Sequence, residues 1–276
     1  MVNNHSLNQN SSNFHLALFV LPKAKRKAMF DFYRFCRTAD DIVDELGPKS
    51  TQEAQKALQE LRNVVELSFS GSSHTPLGET LRTLVKAYPV QKENFLQIIE
   101  GCEMDLVKNR YQTFSELYQY CLRVASAVGL VSIAIFGCSE EKTRDYAINL
   151  GVAFQITNIL RDLREDKERG RIYLPLEDLT RFGYSEDMLI NEVSNSPFQG
   201  LMEFECQRAE KFYHLAEKNL CKEDQKRLIP AQIMRAVYHH ILNKINKKPE
   251  VVLKKRIQVS KSQKILLALS AVAKNF

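Results

Sequence analysis

Apolar residues recur at three- and four-residue steps along most of this chain, and that spacing predicts helices at roughly 23–46, 51–69, 76–87, 92–109, 113–137, 141–167, 198–219 and 229–246. The breaks between them carry the Gly, Pro and Ser that end helices or start turns: GPKS (47–50), SGSSH (70–74), GRIYLP (170–175) and SNSPF (194–198). No strand-like alternation of useful length interrupts the helical pattern. The expected fold is therefore all-α and single-domain, a helical bundle, with a flexible polar N-terminus at 1–12 and one domain over 13–276 that ends in a basic helix.

Two of the predicted helices carry polar residues where an ordinary amphipathic helix would not. In the first, Met29, Phe32, Cys36, Ala39 and Val43 form an apolar stripe, and Tyr33, Arg37, Asp40 and Asp44 form a second stripe with Asp41 at its margin. At ~100° per residue, Asp44 sits about 40° from Asp40 and about 60° from Asp41, so three carboxylates converge. The second helix is apolar nearly all round from Tyr146 to Leu163, as a helix buried among others is. Down it runs one polar line: Gly151, Gln155, Asn158, Asp162 and Asp166.

A single D-D-x-x-D on a helix is often a solvated acidic face. Two such lines on helices this apolar call for another explanation. Carboxylates gathered in a partly desolvated site raise one another's pKa unless a cation is present. All the gathered ligands are oxygen, which suits Mg²⁺, an ion that favours a few carboxylates, waters and substrate phosphate over a closed protein cage. Two carboxylate rows facing each other would hold Mg²⁺ around a diphosphate.

With RTADDIVDE as a first aspartate-rich motif, NILRDLREDKERGRIYLP as a second and YCLRVASAVGL between them, the sequence resembles the squalene/phytoene synthase family, the head-to-head isoprenoid synthases. The resemblance runs from Ser11 to about Lys264. It implies an isoprenoid synthase-type helical bundle with a central cavity, two isoprenoid diphosphate substrates, and Mg²⁺ held by Asp40, Asp41, Asp44, Asn158, Asp162 and Asp166. By the same resemblance Ser11, Arg37, Gln155, Arg161 and Arg256 would contact diphosphate, and Tyr33, Tyr120 and Tyr238 would line the reacting centre. The family's Ser-rich S-F stretch stands here as SSNF, with Asn13 departing from the pattern.

Within the family, EGCEMDLVKNRYQTFSELYQYC and IYLPLEDLTRFGY look most like presqualene diphosphate synthases of hopanoid pathways. That reading implies condensation of two farnesyl diphosphates with release of one diphosphate, and NADPH is not expected. A complete squalene, dehydrosqualene or phytoene synthase is the alternative. A non-catalytic assembly factor is a further one, opposed by the intact aspartates. Whether the reaction stops early would be decided in the pocket wall, where Leu18, Phe30, Val124, Ala127 and Phe154 are candidates.

Composition adds three points. The six cysteines lie inside apolar helical patterns with no C-x-x-C pair, and read as buried thiols rather than metal ligands or disulfides. The N-terminal stretch lacks the basic and apolar regions of a signal peptide, so a cytoplasmic location is expected. Residues 241–276 hold nine of the 39 Lys/Arg and one acid, Glu250, a local +8 against −2 for the rest. The last segment is too short to span a bilayer. Two placements stay open for it: a basic amphipathic helix resting peripherally on an anionic inner membrane face, or a helix docked on the core. Nucleic acid is not an expected partner, since no exposed aromatics interleave the basic residues at a module spacing.

Overall fold

The computed structural model describes residues 16–47 and 49–273, and among these the fold is helical with one isolated parallel bridge, Arg110 to Ile172. In chain order the helices are α1 (Lys23–Asp41), α2 (Thr51–Phe69), α3 (Pro76–Ala87), α4 (Lys92–Val107), α5 (Phe114–Cys121), α6 (Ala127–Phe136) and α7 (Glu141–Arg161). There follow α8 (Leu163–Glu168), α9 (Leu176–Arg181), α10 (Glu186–Ile190), α11 (Ser196–Lys218), α12 (Ile229–Lys247), α13 (Val251–Lys254) and α14 (Lys261–Ala273). The long elements fall where the apolar periodicity places them. The expected N-terminal segment 1–12 and Ser11 lie outside the described residues.

α7 is the centre of the bundle, packed by α11, α12, α6 and the turn 122–126. It is buried on nearly every face, as its apolar sequence requires. Its start is pinned by Asp224, whose fully buried carboxylate accepts hydrogen bonds from the backbone N–H of Ser139 and Glu140 and from Thr143 Oγ1 at 2.8 Å. Halfway along, Gly151 meets the turn 122–126 backbone to backbone: a Cβ added there would lie 2.7 Å from Ser126 Cα. A side chain would separate the two helices that line the site.

Three local departures from the α-helix shape that site. α1 passes into a π-helical turn at Ile42–Leu46, and α5 joins α6 through another at Leu122–Ser126. The predicted helix 141–167 is broken at Asp162, whose φ of −102° and ψ of 15° separate α7 from α8. π turns insert a residue into the i→i+4 ladder and so re-aim the side chains beyond them. The stretch Phe114–Phe136 is long and apolar enough, by length and composition, to cross a membrane. In this fold its Val124, Val128 and Ile133 line internal cavities, which accounts for that apolarity.

Candidate active site

α1, α4 and α7, with the extended segment after α8, enclose a polar chamber of about 240 Å³. The first motif contributes Arg37, Asp40 and Asp44; the second contributes Gln155, Asn158, Arg161, Asp162 and Asp166; Tyr120 enters from α5. The π turn carries Asp44 to the chamber rim, where Arg169 bonds it at 3.1 Å and Arg171 pairs with it at 3.8 Å. Asp162 sits on the helix break, and its carboxylate is clamped by Arg161 (2.7 and 2.6 Å) and by Arg256, whose Nε lies 2.8 Å away.

Not every expected residue joins them. Asp41, expected at the margin of the stripe, is turned outward: its side chain is 46% exposed, pairs with Arg37 and lies outside the chamber. Tyr33 and Tyr238 line apolar cavities rather than the carboxylate chamber. The ring of Tyr238 faces Phe154 at 4.6 Å, and the Arg161 guanidinium lies 5.9 Å from its centre. Ser11 lies outside the described residues.

The chamber also contains residues the sequence reading passed over. Asp105 of α4 stands half-buried at its wall and accepts hydrogen bonds from the phenols of Tyr120 (2.9 Å) and Tyr173 (2.7 Å). Arg171 and Tyr173 arrive on the extended segment 170–175, held against residues 109–112 by Ile172 N–H to Asn109 O and Leu176 N–H to Tyr111 O. Asp105 had a legible signal: it stands three residues after Cys102 and seven after Ile98, a charge on the buried stripe of its helix.

Two of the chamber carboxyls are held away from their ordinary values. Burial first, then the neighbouring Asp44, Asp105 and Asp41, push the Asp40 carboxyl up to about 7 despite Arg37. Burial and the nearby Asp162 and Asp105 push Asp166 up to about 8. Between the two motifs the buried Oδ1 of Asn158 has no hydrogen-bond partner, an orphaned acceptor beside carboxylates. These donors fit a hard divalent cation. Among the described residues no three His, Cys, Asp or Glu side chains stand close enough together to hold a metal ion by themselves.

Two apolar cavities adjoin this chamber. One, of about 230 Å³, meets it at Gln155 and Asn158 and runs between α7 and α12 past Phe154, Leu150 and Tyr146. The other, of about 200 Å³, meets it at Asp40 and Cys102 and is walled by Phe32, Tyr33 and Cys36. Val124 and Val128 line both, so they form the partition between the two arms. Of the pocket-wall candidates, Leu18, Val124 and Phe154 line the first arm, while Phe30 and Ala127 line neither.

A charged chamber beside two apolar cavities has the form that amphiphiles with anionic heads would fit. The squalene/phytoene synthase family model matches residues 7–263. The chain is 36% identical over 271 residues to a phytoene synthase of Arthrospira platensis, covering 94% of this chain and 87% of that one. It is 37% identical over 270 residues to a 15-cis-phytoene synthase of a Synechocystis strain, covering 94% and 80%. Among solved structures, a dehydrosqualene synthase in complex with ligand superposes with a TM-score of 0.84 at 28% identity, over 98% of this chain and 93% of that one. The chain belongs to the squalene/phytoene synthase family, the head-to-head prenyltransferases that act on isoprenoid diphosphates.

Proposed function

We propose that this chain condenses two C20 allylic diphosphates head to head and carries the product through to a C40 conjugated triene, the reaction of a phytoene synthase. The observation that carries the condensation is the pair of apolar arms meeting one diphosphate-sized polar chamber across the Val124–Val128 partition. The product reading departs from the presqualene diphosphate expected from sequence. The relatives quoted above are named phytoene synthases, and the dehydrosqualene synthase likeness also favours a reaction that completes without reduction.

Mg²⁺ at Asp40, Asp44, Asn158, Asp162 and Asp166 would supply Lewis-acid assistance to diphosphate departure. The chain's own groups do the rest. Arg37, Arg161, Arg169, Arg171 and Arg256 surround the place where the diphosphates sit, and guanidinium forks bind phosphate oxygens in bidentate fashion. The arms hold the two tails side by side and keep water from the allylic cation, which would otherwise be quenched. Tyr33 and Tyr238 border the arms, and aromatic rings attract a positive charge that develops over their faces.

In the first half-reaction one C–O bond breaks, the double bond of the second substrate forms a C–C bond to the cation, and a proton leaves as a cyclopropane closes. In the second half-reaction the remaining diphosphate departs, the skeleton rearranges and a second proton is lost. Two diphosphates and two protons leave, and no reductant is consumed. The test is mass spectrometry of the products formed by purified protein from C15 or C20 diphosphates with Mg²⁺, with and without NADPH. The expected product is a C40 triene, unaffected by NADPH. Accumulation of a cyclopropyl C30 diphosphate, or NADPH-dependent squalene, would overturn this reading.

A further inference from the structure

The far end of the first apolar arm is closed by one side chain that has open space behind it. α6 and α7 run antiparallel along this arm, and backbone contacts seal most of the seam between them. A Cβ added at Gly151 would lie 2.7 Å from Ser126 Cα, and one added at Gly129 would lie 2.9 Å from the carbonyl oxygen of Ala147. At both places the helices approach too closely for a side chain to stand between them. The arm follows this seam from Asn158 to Tyr146, ~18 Å along α7 at about 1.5 Å per residue.

One turn beyond Gly129 the closure changes character. Ile133 occupies the same face of α6, is 8% exposed and lines the arm. It also lines a second cavity of about 320 Å³ on the outer side of α6, in company with Leu130, Ala134, Asn94 and Arg144. On α7 the residue one turn before Ala147 is Thr143, whose hydroxyl is committed to Asp224 at 2.8 Å and so takes no part in closing the seam. Phe136 and Tyr146, the other bulky groups at this end, line the arm and not the outer cavity. Both are packed into the core.

The outer cavity is therefore the space into which a longer tail could pass without repacking the bundle. Beside Ile133 its wall is apolar, formed by Leu130 and Ala134, while Gln91, Glu140 and Arg144 at its rim are exposed. Further hydrocarbon entering there would leave water as the rest of the tail does. What stands in the way is stiff, because a β-branched side chain in a helix is held to one χ1 rotamer and does not swing aside.

We propose that Ile133 is the plug that sets the longest isoprenoid tail the first arm accepts, by separating that arm from the outer cavity. The outer cavity shares no lining residue with the second arm, so the limit applies to one of the two substrates. The assignment rests on the condensation proposed above for the identity of those substrates; the plug itself follows from the two cavities that meet at one side chain.

The test is a competition in which the purified full-length protein receives equal amounts of C20 and C25 allylic diphosphates with Mg²⁺, and the products are separated by mass spectrometry. Wild type should make C40 with little C45. Ile133→Ala should raise the ratio of C45 to C40 by about tenfold or more, the discrimination that a single methylene in an apolar pocket provides. C50 should stay low, because the second arm is unchanged. Ile133→Val, which removes one methyl group and disturbs packing least, should shift the ratio the same way by a smaller factor. Both products come from one reaction, so partial loss of folded protein cancels. Leu130→Ala, in the wall of the outer cavity and not of the arm, should keep the wild-type ratio. An unchanged ratio in both Ile133 variants would overturn the proposal, as would an equal shift in Leu130→Ala or a rise of C50 in step with C45. A wild type that uses C15 in preference to C20 would overturn the C20 reading of the condensation instead, and the same competition between C15 and C20 diphosphates then decides the role of Ile133.

Discussion

Arg256 reaches back 94 positions to donate to Asp162, with Nη2 3.0 Å from Oδ2 and Nε 2.8 Å from Oδ1. Together with Arg161 it neutralises the pivotal carboxylate of the second motif by a contact that substrate and metal must rearrange. The same guanidinium is thus placed to pass from Asp162 to a diphosphate oxygen. Arg256→Ala should raise KM for the isoprenoid diphosphate by roughly tenfold or more, with Arg256→Lys recovering only part because a single ammonium cannot replace the fork. Steady-state kinetics over a substrate range check this; unchanged KM in both variants would confine Arg256 to a structural role.

Asp40→Asn and Asp162→Asn nearly preserve volume while removing a charge that a bound cation needs. Each should lower turnover by several orders of magnitude, with the melting temperature of the metal-free protein unchanged or raised for Asp40→Asn, whose ionised form burial disfavours. Asp105→Asn belongs in the same series. It should lose activity too, because the two phenols that now donate to a carboxylate would face an amide with only one acceptor. Near-normal turnover at saturating Mg²⁺ would remove the residue concerned from the site.

The raised carboxyls give the metal-free protein a pH signature. Asp40, near 7, and Asp166, near 8, hold protons in the folded chain that they lose near the ordinary 3.8 when unfolded. The folded state therefore binds more protons than the unfolded state across that window, and stability contributed by these groups is present below pH 3.8 and lost as pH rises toward 8. A divalent cation favours the ionised forms, so added Mg²⁺ should raise the melting temperature more at the alkaline end. Melting curves in chelator and in Mg²⁺ across pH, on wild type and on the Asp40→Asn/Asp166→Asn double variant, check both signs; an identical pH slope in the two proteins would refute the assignment.

Gly151→Ala should destabilise the fold although alanine is the better helix former. The added Cβ would fall 2.7 Å from Ser126 Cα and N, both backbone atoms that cannot rotate away. Overpacking of this kind costs about 1–3 kcal/mol. Chemical denaturation should show it as a lower midpoint, and activity should fall with it, because α7 lines the chamber and the first arm while Val124 of the turn 122–126 lines both arms. A wild-type midpoint would mean that the helices separate freely.

The long helices and both aspartate motifs were legible because apolar spacing records burial directly. What periodicity could not convey was where a helix stops being α. The π turn that carries Asp44 away from Asp41 and the break at Asp162 are deviations of one residue, smaller than the resolution of a hydrophobic pattern. Arg171 and Tyr173 were hidden for a different reason. They reach the chamber through an extended segment paired to residues 109–112, a tertiary placement with no local signature. Asp105 could have been found, since a charge on an apolar stripe asks for a partner, and here it has Tyr120 and Tyr173.

The partition formed by Val124 and Val128 ties the two arms to one another in inheritance as well as in space. A mutation that thickens this wall takes room from both tails at once, and one that thins it gives room to both, so the two halves of the product are drawn to lengthen or shorten together. Unequal halves would require changes at the far ends, beyond Tyr146 in one arm or Ile98 in the other, where each arm has lining of its own. An enzyme built on a common wall is thereby biased toward symmetric products, and the yield of mixed C15–C20 condensation becomes a gauge of how far any descendant has escaped that constraint.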